Sequence, residues 1–216
     1  GFSAGNDLRY QAEGGERLAM PRGFGGLTSR FDLTKPVIAA INGVGVGIGA
    51  TMPLAMDARI VSSKARIGFV FAKIGVCMEA CSSWFLPRLV GMSTALDWAM
   101  SGEILPAEEL ARGGYATRVV EPEELMATAR ATARRYIDGV SPVSVAVNRQ
   151  LLWRMAGASH PMEAHRMDSR AIFQLSMEDG REGVTAFGEK RTPEYAKVPP
   201  TDMPAFFDWT SEPKFE

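Results

Sequence analysis

No stretch of this chain is apolar for the roughly 18–20 residues that a helix needs to cross a bilayer. The longest apolar run, 37–50, is broken by Asn42 and diluted by four glycines. A basic excess is missing too: 24 Lys and Arg stand against 25 Asp and Glu, a formal charge of −1. General nucleic-acid binding rests on neutralising many phosphates, so that partner is excluded, while a ligand with a few phosphates needs only a local basic cluster. Cysteines number two, Cys77 and Cys81, which is no disulfide framework and fits a reducing compartment. On a helix their spacing would put both on one face; small buried residues are the expectation rather than a metal pair. His160 and His165 are the only histidines, too few for a zinc site or a Ser-His-Asp triad, and no metal is expected. No secretory signal opens the sequence, and a cytoplasmic location is expected. The first residue is Gly1 rather than methionine, which raises the expectation of an upstream segment.

What is present is the composition of a soluble globular protein, 46% hydrophobic and 23% charged over 216 residues. That length supports one substantial core, or a core with a small appended element. Residues 1–8 read as a strand end turning into a helix, with Asp7 placed to accept from first-turn N–H groups. A polar, glycine-rich loop spans 14–26. The β-branched run Val37-Ile38-Ala39-Ala40-Ile41-Asn42 predicts a strand buried on both faces. Further strands are expected over 57–62 and 65–71. Helices are expected over 50–55, 82–89, 93–101, 107–113, 122–139, 143–156 and 161–177. Strands alternate with helices in the first half and helices dominate the second, so the fold class is α/β with a helical C-terminal region and no internal repeat. The expected division is an α/β core over 1–135, a helical region over 136–195 and an extended Pro/aromatic tail over 196–216.

Strand, glycine-rich turn, helix is a device for bringing backbone N–H groups close to an anion. Gly45-Val46-Gly47-Ile48-Gly49-Ala50 matches G-x-G-x-x-G/A in form. A dinucleotide site also wants an acidic residue about 20 positions on to hold the ribose, and no Asp or Glu lies between Asp57 and Glu79. No P-loop is present either. Taken by itself, the segment is equally a tight turn for close helix–strand packing.

It does not stand by itself. Gly1-Phe2-Ser3-Ala4-Gly5-Asn6-Asp7-Leu8, then Lys35-Pro36-Val37-Ile38-Ala39-Ala40-Ile41-Asn42-Gly43 and the glycine turn, resemble the crotonase family of enoyl-CoA hydratases and isomerases. In the same order follow Asp57-Ala58-Arg59-Ile60-Val61-Ser62, Leu86-Pro87-Arg88-Leu89-Val90-Gly91, Ser101-Gly102-Glu103 with Ala107-Glu108-Glu109, and 182–191. The resemblance reaches to about Pro193 and implies a ClpP-like spiral of ββα units, assembled as a homotrimer or a dimer of trimers. It implies acyl-CoA as substrate, with no separate cofactor. The family carries ββα elements ahead of the segment matching Gly1, so an upstream segment is expected on this ground also.

The resemblance also places the chemistry. The thioester oxygen is held in the family by two backbone N–H groups, which fall here on Asn6 and Ile48. Isoleucine replaces the usual glycine, but the N–H makes the contact. Removing a proton beside a thioester gathers negative charge on its oxygen, and each preorganised donor there contributes about 3–4 kcal/mol. The two glutamates that hydratases use match Thr51 and Phe71, neither of which is a carboxylate. One carboxylate remains nearby, Glu79, at a position that serves some isomerases of the family. The expected mechanism is therefore isomerisation by one base, with Phe69, Phe71 and Trp84 as apolar walls that raise the pKa of Glu79. Ala4, Asp7, Leu8, Gly47, Thr51, Phe71 and Trp84 are expected to line the substrate site. Lys190 and Arg191, with Phe187 beside them, are expected at the CoA phosphates or adenine, and Arg9 at another phosphate.

Other readings stay open. The alternative for Glu79 is a surface glutamate or a cap of the following helix. Thr51 can orient a water, which keeps hydration in play. Hydrolysis of the thioester and a catalytically silent CoA-binding protein are the remaining alternatives.

Overall fold

The computed structural model describes residues 1–5, 33–204 and 206. Contacts divide the chain into two units, Gly1–Arg30 with Val37–Ala131, and Phe31–Pro36 with Thr132–Glu216.

The first unit is built from strands that alternate between two small sheets. Strand β1 (Ile38–Ile41) is followed at once by β2 (Val44–Val46), yet the two belong to different sheets. A short helix α1 (Ile48–Thr51) and a 3-10 turn (Met52–Ala55) complete the step. The chain then repeats it: β3 (Ala58–Ser62), β4 (Arg66–Gly68), a 3-10 turn (Val70–Ile74) and helix α2 (Ser82–Val90). β3 lies parallel to β1, with Ile38 opposite Ala58 and Ile41 opposite Val61. β4 lies parallel to β2, with Val44 opposite Arg66 and Val46 opposite Gly68. Each ββα step thus stacks on the one before, which is the spiral.

After α3 (Met92–Ser101), β5 (Ile104–Pro106) closes its sheet antiparallel to β4. After α4 (Ala107–Arg112), β6 (Arg118–Val120) adds parallel to β3. β3 is therefore the middle strand of its sheet, and all five of its residues are buried. A 3-10 turn (Pro122–Glu124) leads to helix α5 (Leu125–Arg135), whose Leu125 and Ala129 pack on Ile60. Arg59, on β3, is 6% exposed. Its guanidinium donates to the Tyr115 and Met56 carbonyls, each at 2.6 Å, so the buried charge is dispersed over backbone dipoles.

The second unit contains α6 (Pro142–Met155), α7 (Pro161–Met177) and α8 (Asp179–Glu189). Proline opens α6 and α7, where its missing N–H is no loss. The Ser141 hydroxyl accepts from Ser144 N–H as the cap of α6 and donates to Asp179 Oδ2 at 2.5 Å. Val143, Val147 and Ala171 form the core, with Leu151, Leu175, Met203 and Phe206 against it.

Several expectations need correction. The strand expected over 65–71 ends at Gly68, and Phe71 sits in the 3-10 turn instead. Three short strands, β2, β5 and β6, carry too little alternation to read from sequence. The helix expected over 122–139 ends at Arg135. Cys77 and Cys81 are exposed free thiols on a loop and a helix cap, not small buried residues of one helix face.

Candidate functional site

The glycine turn has a defined local cause. Gly47 caps α1 at φ 56° and ψ −125°, a region closed to most side chains, and its carbonyl accepts from Ala50 and Thr51 N–H at 2.9 and 3.1 Å. Ile48 is the first residue of α1, so its N–H is one of the donors that helix geometry leaves without an intrahelical acceptor. A β-carbon on Gly49 would lie 2.6 Å from the Ser3 carbonyl oxygen. Glycine there lets the first residues run directly over the turn. Ser3 bridges Gly45 in parallel, and Val46 N–H donates to the Ser3 carbonyl at 3.0 Å. Gly5, at φ 80°, follows beside Gly47, where a β-carbon would meet Gly5 Cα at 3.7 Å. Ala4 is exposed. Asn6, Asp7, Leu8 and Arg9 lie outside the described residues.

Against this turn stands Glu79. Its carboxylate Oε1 accepts from the Thr51 hydroxyl at 2.6 Å, and Thr51 itself is fully buried. Oε2 is shut off from solvent and has no hydrogen-bond donor among the described residues. Burial pushes the Glu79 pKa above its ordinary value, and the Thr51 hydrogen bond opposes that rise in part. Helix α2 starts at Ser82 with Cys81 as its cap, so Glu79 is not the helix cap. The Glu79 carbonyl instead accepts from Ser82 N–H at 3.0 Å and from Ser82 Oγ at 2.5 Å. Ala80 and Cys81 follow in the left-handed region, at φ 55° and 56°. Two such residues in succession reverse the chain just after the carboxylate. Neither their conformation nor the role of Ser82 was signalled by the sequence.

The expected apolar walls divide. Phe69 is fully buried, stacked on Trp98 and edge-on to Tyr115, so it belongs to the core rather than to a substrate wall. Phe71 is 6% exposed, and its carbonyl accepts from Val76 N–H at 3.1 Å, folding back the loop that leads to Glu79. Trp84 is half-buried, edge-on to Phe85 at 4.8 Å and under the Arg88 guanidinium at 4.0 Å.

In the second unit, Arg191 is held by Glu182 through two nitrogens and by Glu189 through a third. Arg191, expected at the CoA phosphates, is thus ion-paired with the helix that precedes it. Those bonds hold the Glu182 carboxyl at about 2. Lys190 is exposed and ends α8 in the left-handed conformation, and Phe187 is 87% exposed.

The enoyl-CoA hydratase/isomerase family profile matches residues 1–198. The chain belongs to that family. A carnitinyl-CoA dehydratase from Salmonella arizonae is 37% identical over 201 residues, covering 90% of this chain and 76% of the relative. A probable enoyl-CoA hydratase/isomerase from Mycobacterium abscessus superposes with a TM-score of 0.73 at 32% identity, covering 77% of this chain and 68% of that one. An enoyl-CoA hydratase from Bacillus anthracis gives 0.76 at 27% identity, covering 89% and 72%. Membership makes this a crotonase-fold enzyme of acyl-CoA chemistry. Glu79 reaches Thr51, the last residue of the helix that follows the glycine turn. No group of three or more potential metal ligands exists among the described residues.

Proposed function

We propose that the protein moves a proton along an acyl-CoA thioester with Glu79 as its one base, shifting a 3-enoyl-CoA to the 2-enoyl isomer. The observation that carries this reading is the Glu79 carboxylate beside the glycine turn, with Oε1 held by Thr51 and Oε2 unpartnered. A desolvated oxygen without a donor is the more basic of the pair. Oε2 takes the proton from C2, and the C–H electron pair moves toward C1. The negative charge then rests on the thioester oxygen, held by the N–H groups of Ile48 and Asn6. Glu79 returns the proton to C4 while the double bond moves from C3–C4 to C2–C3. Atoms balance, and neither water nor a second carboxylate is needed.

Addition or removal of water is the second reading. Its support is the relative named carnitinyl-CoA dehydratase, together with a buried hydroxyl on Thr51 in contact with the base. There the C2 proton leaves as before, and the C3 substituent departs with a proton from Glu79.

Incubation with 3-enoyl-, 2-enoyl- and saturated acyl-CoA separates these readings by product mass. Isomerisation leaves the mass unchanged while 2-enoyl absorbance appears. A gain of water on the acyl chain replaces it with the second reading, and free CoA replaces it with hydrolysis. No turnover on any of them leaves a silent CoA-binding protein. Phe187 and Lys190 are assigned in the same proposal to the CoA end of the substrate. Assembly as a homotrimer or a dimer of trimers belongs to it too, supported by the apolar Ile172, Phe173 and Val184 exposed on α7 and α8. Light scattering tests that assembly directly.

A further inference from the structure

We infer that Thr51 is the positioning residue for Glu79, a hydroxyl standing between two acceptors that fixes which carboxylate oxygen is the base. The inference rests on the reading of Glu79 as the base and goes beyond it, because a buried threonine otherwise has only a packing role.

Thr51 Oγ1 lies 2.6 Å from Glu79 Oε1 and 3.3 Å from the Gly47 carbonyl oxygen. A hydroxyl carries one proton, so it donates to one acceptor at a time. The charged carboxylate is the stronger acceptor and the shorter contact, so the bond to Oε1 prevails while Glu79 is ionised. That bond occupies Oε1 and leaves Oε2 for the substrate proton. When Oε2 has taken the proton, Oε1 becomes the weaker carbonyl-type acceptor of a neutral acid. The Thr51 proton then has the Gly47 carbonyl as its alternative. Gly47 is the cap of the helix whose first N–H belongs to Ile48. The hydroxyl therefore joins the base to the turn that carries the proposed oxyanion donor, and neither state of Glu79 leaves it without an acceptor.

Thr51 also has the rigidity that the role needs. It is fully buried on α1, and its β-branched side chain is stiff about χ1. Burial and this hydroxyl are the two influences that set the Glu79 pKa, no charged side chain among the described residues adding to them. The thiols nearest in sequence, Cys77 and Cys81, are exposed.

The test is the pH profile of kcat/KM for Thr51→Val, Thr51→Ser and Glu79→Gln, each on the full chain with its fold checked by circular dichroism. Valine keeps the volume and removes the hydroxyl, while serine keeps the hydroxyl and is the second variant if valine fails to fold. A hydrogen bond to a charged group corresponds to a shift of about one to two pH units, so Thr51→Val moves the acid limb upward by that amount and lowers kcat. Serine restores the limb. In a Glu79→Gln background, Thr51→Val has no further effect on kcat, since the two act as one unit. An unmoved acid limb in Thr51→Val, with Glu79→Gln inactive, overturns the role of Thr51 and leaves Glu79 as the base. Full activity of Glu79→Gln overturns both. A Thr51→Ser enzyme with the valine profile reduces Thr51 to packing.

Discussion

The Thr51 hydroxyl donates to Glu79 Oε1 at 2.6 Å across 28 residues of chain. One partner sits on the helix after the glycine turn and the other on a loop before the next helix. The bond therefore joins two successive ββα steps of the spiral at the proposed site.

Replacing Glu79 by glutamine keeps the shape and an acceptor for Thr51 but removes the base. The expected outcome is a fall in kcat of roughly 10²- to 10⁴-fold, the usual contribution of a positioned general base. Binding of CoA thioester remains, and single-turnover kinetics with a folded variant check both points.

The same carboxylate makes stability depend on pH. The folded pKa of Glu79 is raised by burial, so the native state binds its proton more tightly than the unfolded chain does. Stability from this group is fully present below the ordinary glutamate value and is lost as pH rises through the folded value. Glutamine does not titrate. The stability of Glu79→Gln relative to the parent is therefore expected to rise as pH climbs from the ordinary glutamate value through the raised folded value. Urea unfolding of both proteins at several pH values measures the difference, and a difference that stays flat contradicts it.

Ile48 offers a test of the oxyanion hole that hardly touches the fold. Proline is accepted at the first position of a helix because that N–H bonds to nothing within it. Ile48→Pro deletes the proposed donor and is expected to lower kcat by roughly 10²- to 10³-fold. Ile48→Gly keeps the N–H and is expected to stay within about tenfold of the parent, allowing for an added glycine. Equal losses in the two variants would assign the effect to the side chain.

Gly49→Ala strikes the crossing of residues 1–5 over the turn. Its β-carbon would meet the Ser3 carbonyl oxygen at 2.6 Å and Ser3 Cβ at 2.8 Å, so backbone must move. A loss of about 1–3 kcal/mol is expected by urea unfolding, as for other overpacked sites. Gly188→Ala is the control. It lies inside α8 with open space at the β-carbon, and is expected to gain up to about 1 kcal/mol from helix propensity.

Much of the fold was legible where local pattern and burial agree. The run around Ile38–Ile41 and the segment around Ala58–Ser62 are strands, as their β-branched character requires. The expected helix over 161–177 coincides with Pro161–Met177, because a histidine cap and an N1 proline mark its start. Val44–Val46 escaped notice because Gly45 weakens a strand pattern, and its reason is tertiary. A β-carbon there would fall 2.8 Å from Ile67 Cδ1 and 2.9 Å from the Gly49 carbonyl oxygen. Phe69 looked like a wall residue by its distance in sequence from Glu79, but Trp98 and Tyr115 hold it in the core.

The sequence by itself determined the family, through ordered segments spread over residues 1–198. The match of Thr51 and Phe71 to the hydratase glutamate positions is what the resemblance to that family implies. Only the tertiary structure decided that Glu79 turns toward Thr51 rather than capping α2 or facing solvent. The reason is that a loop side chain has no periodic pattern to reveal its direction. Its aim is set by the left-handed pair Ala80 and Cys81 and by the parallel register that stacks β4 on β2.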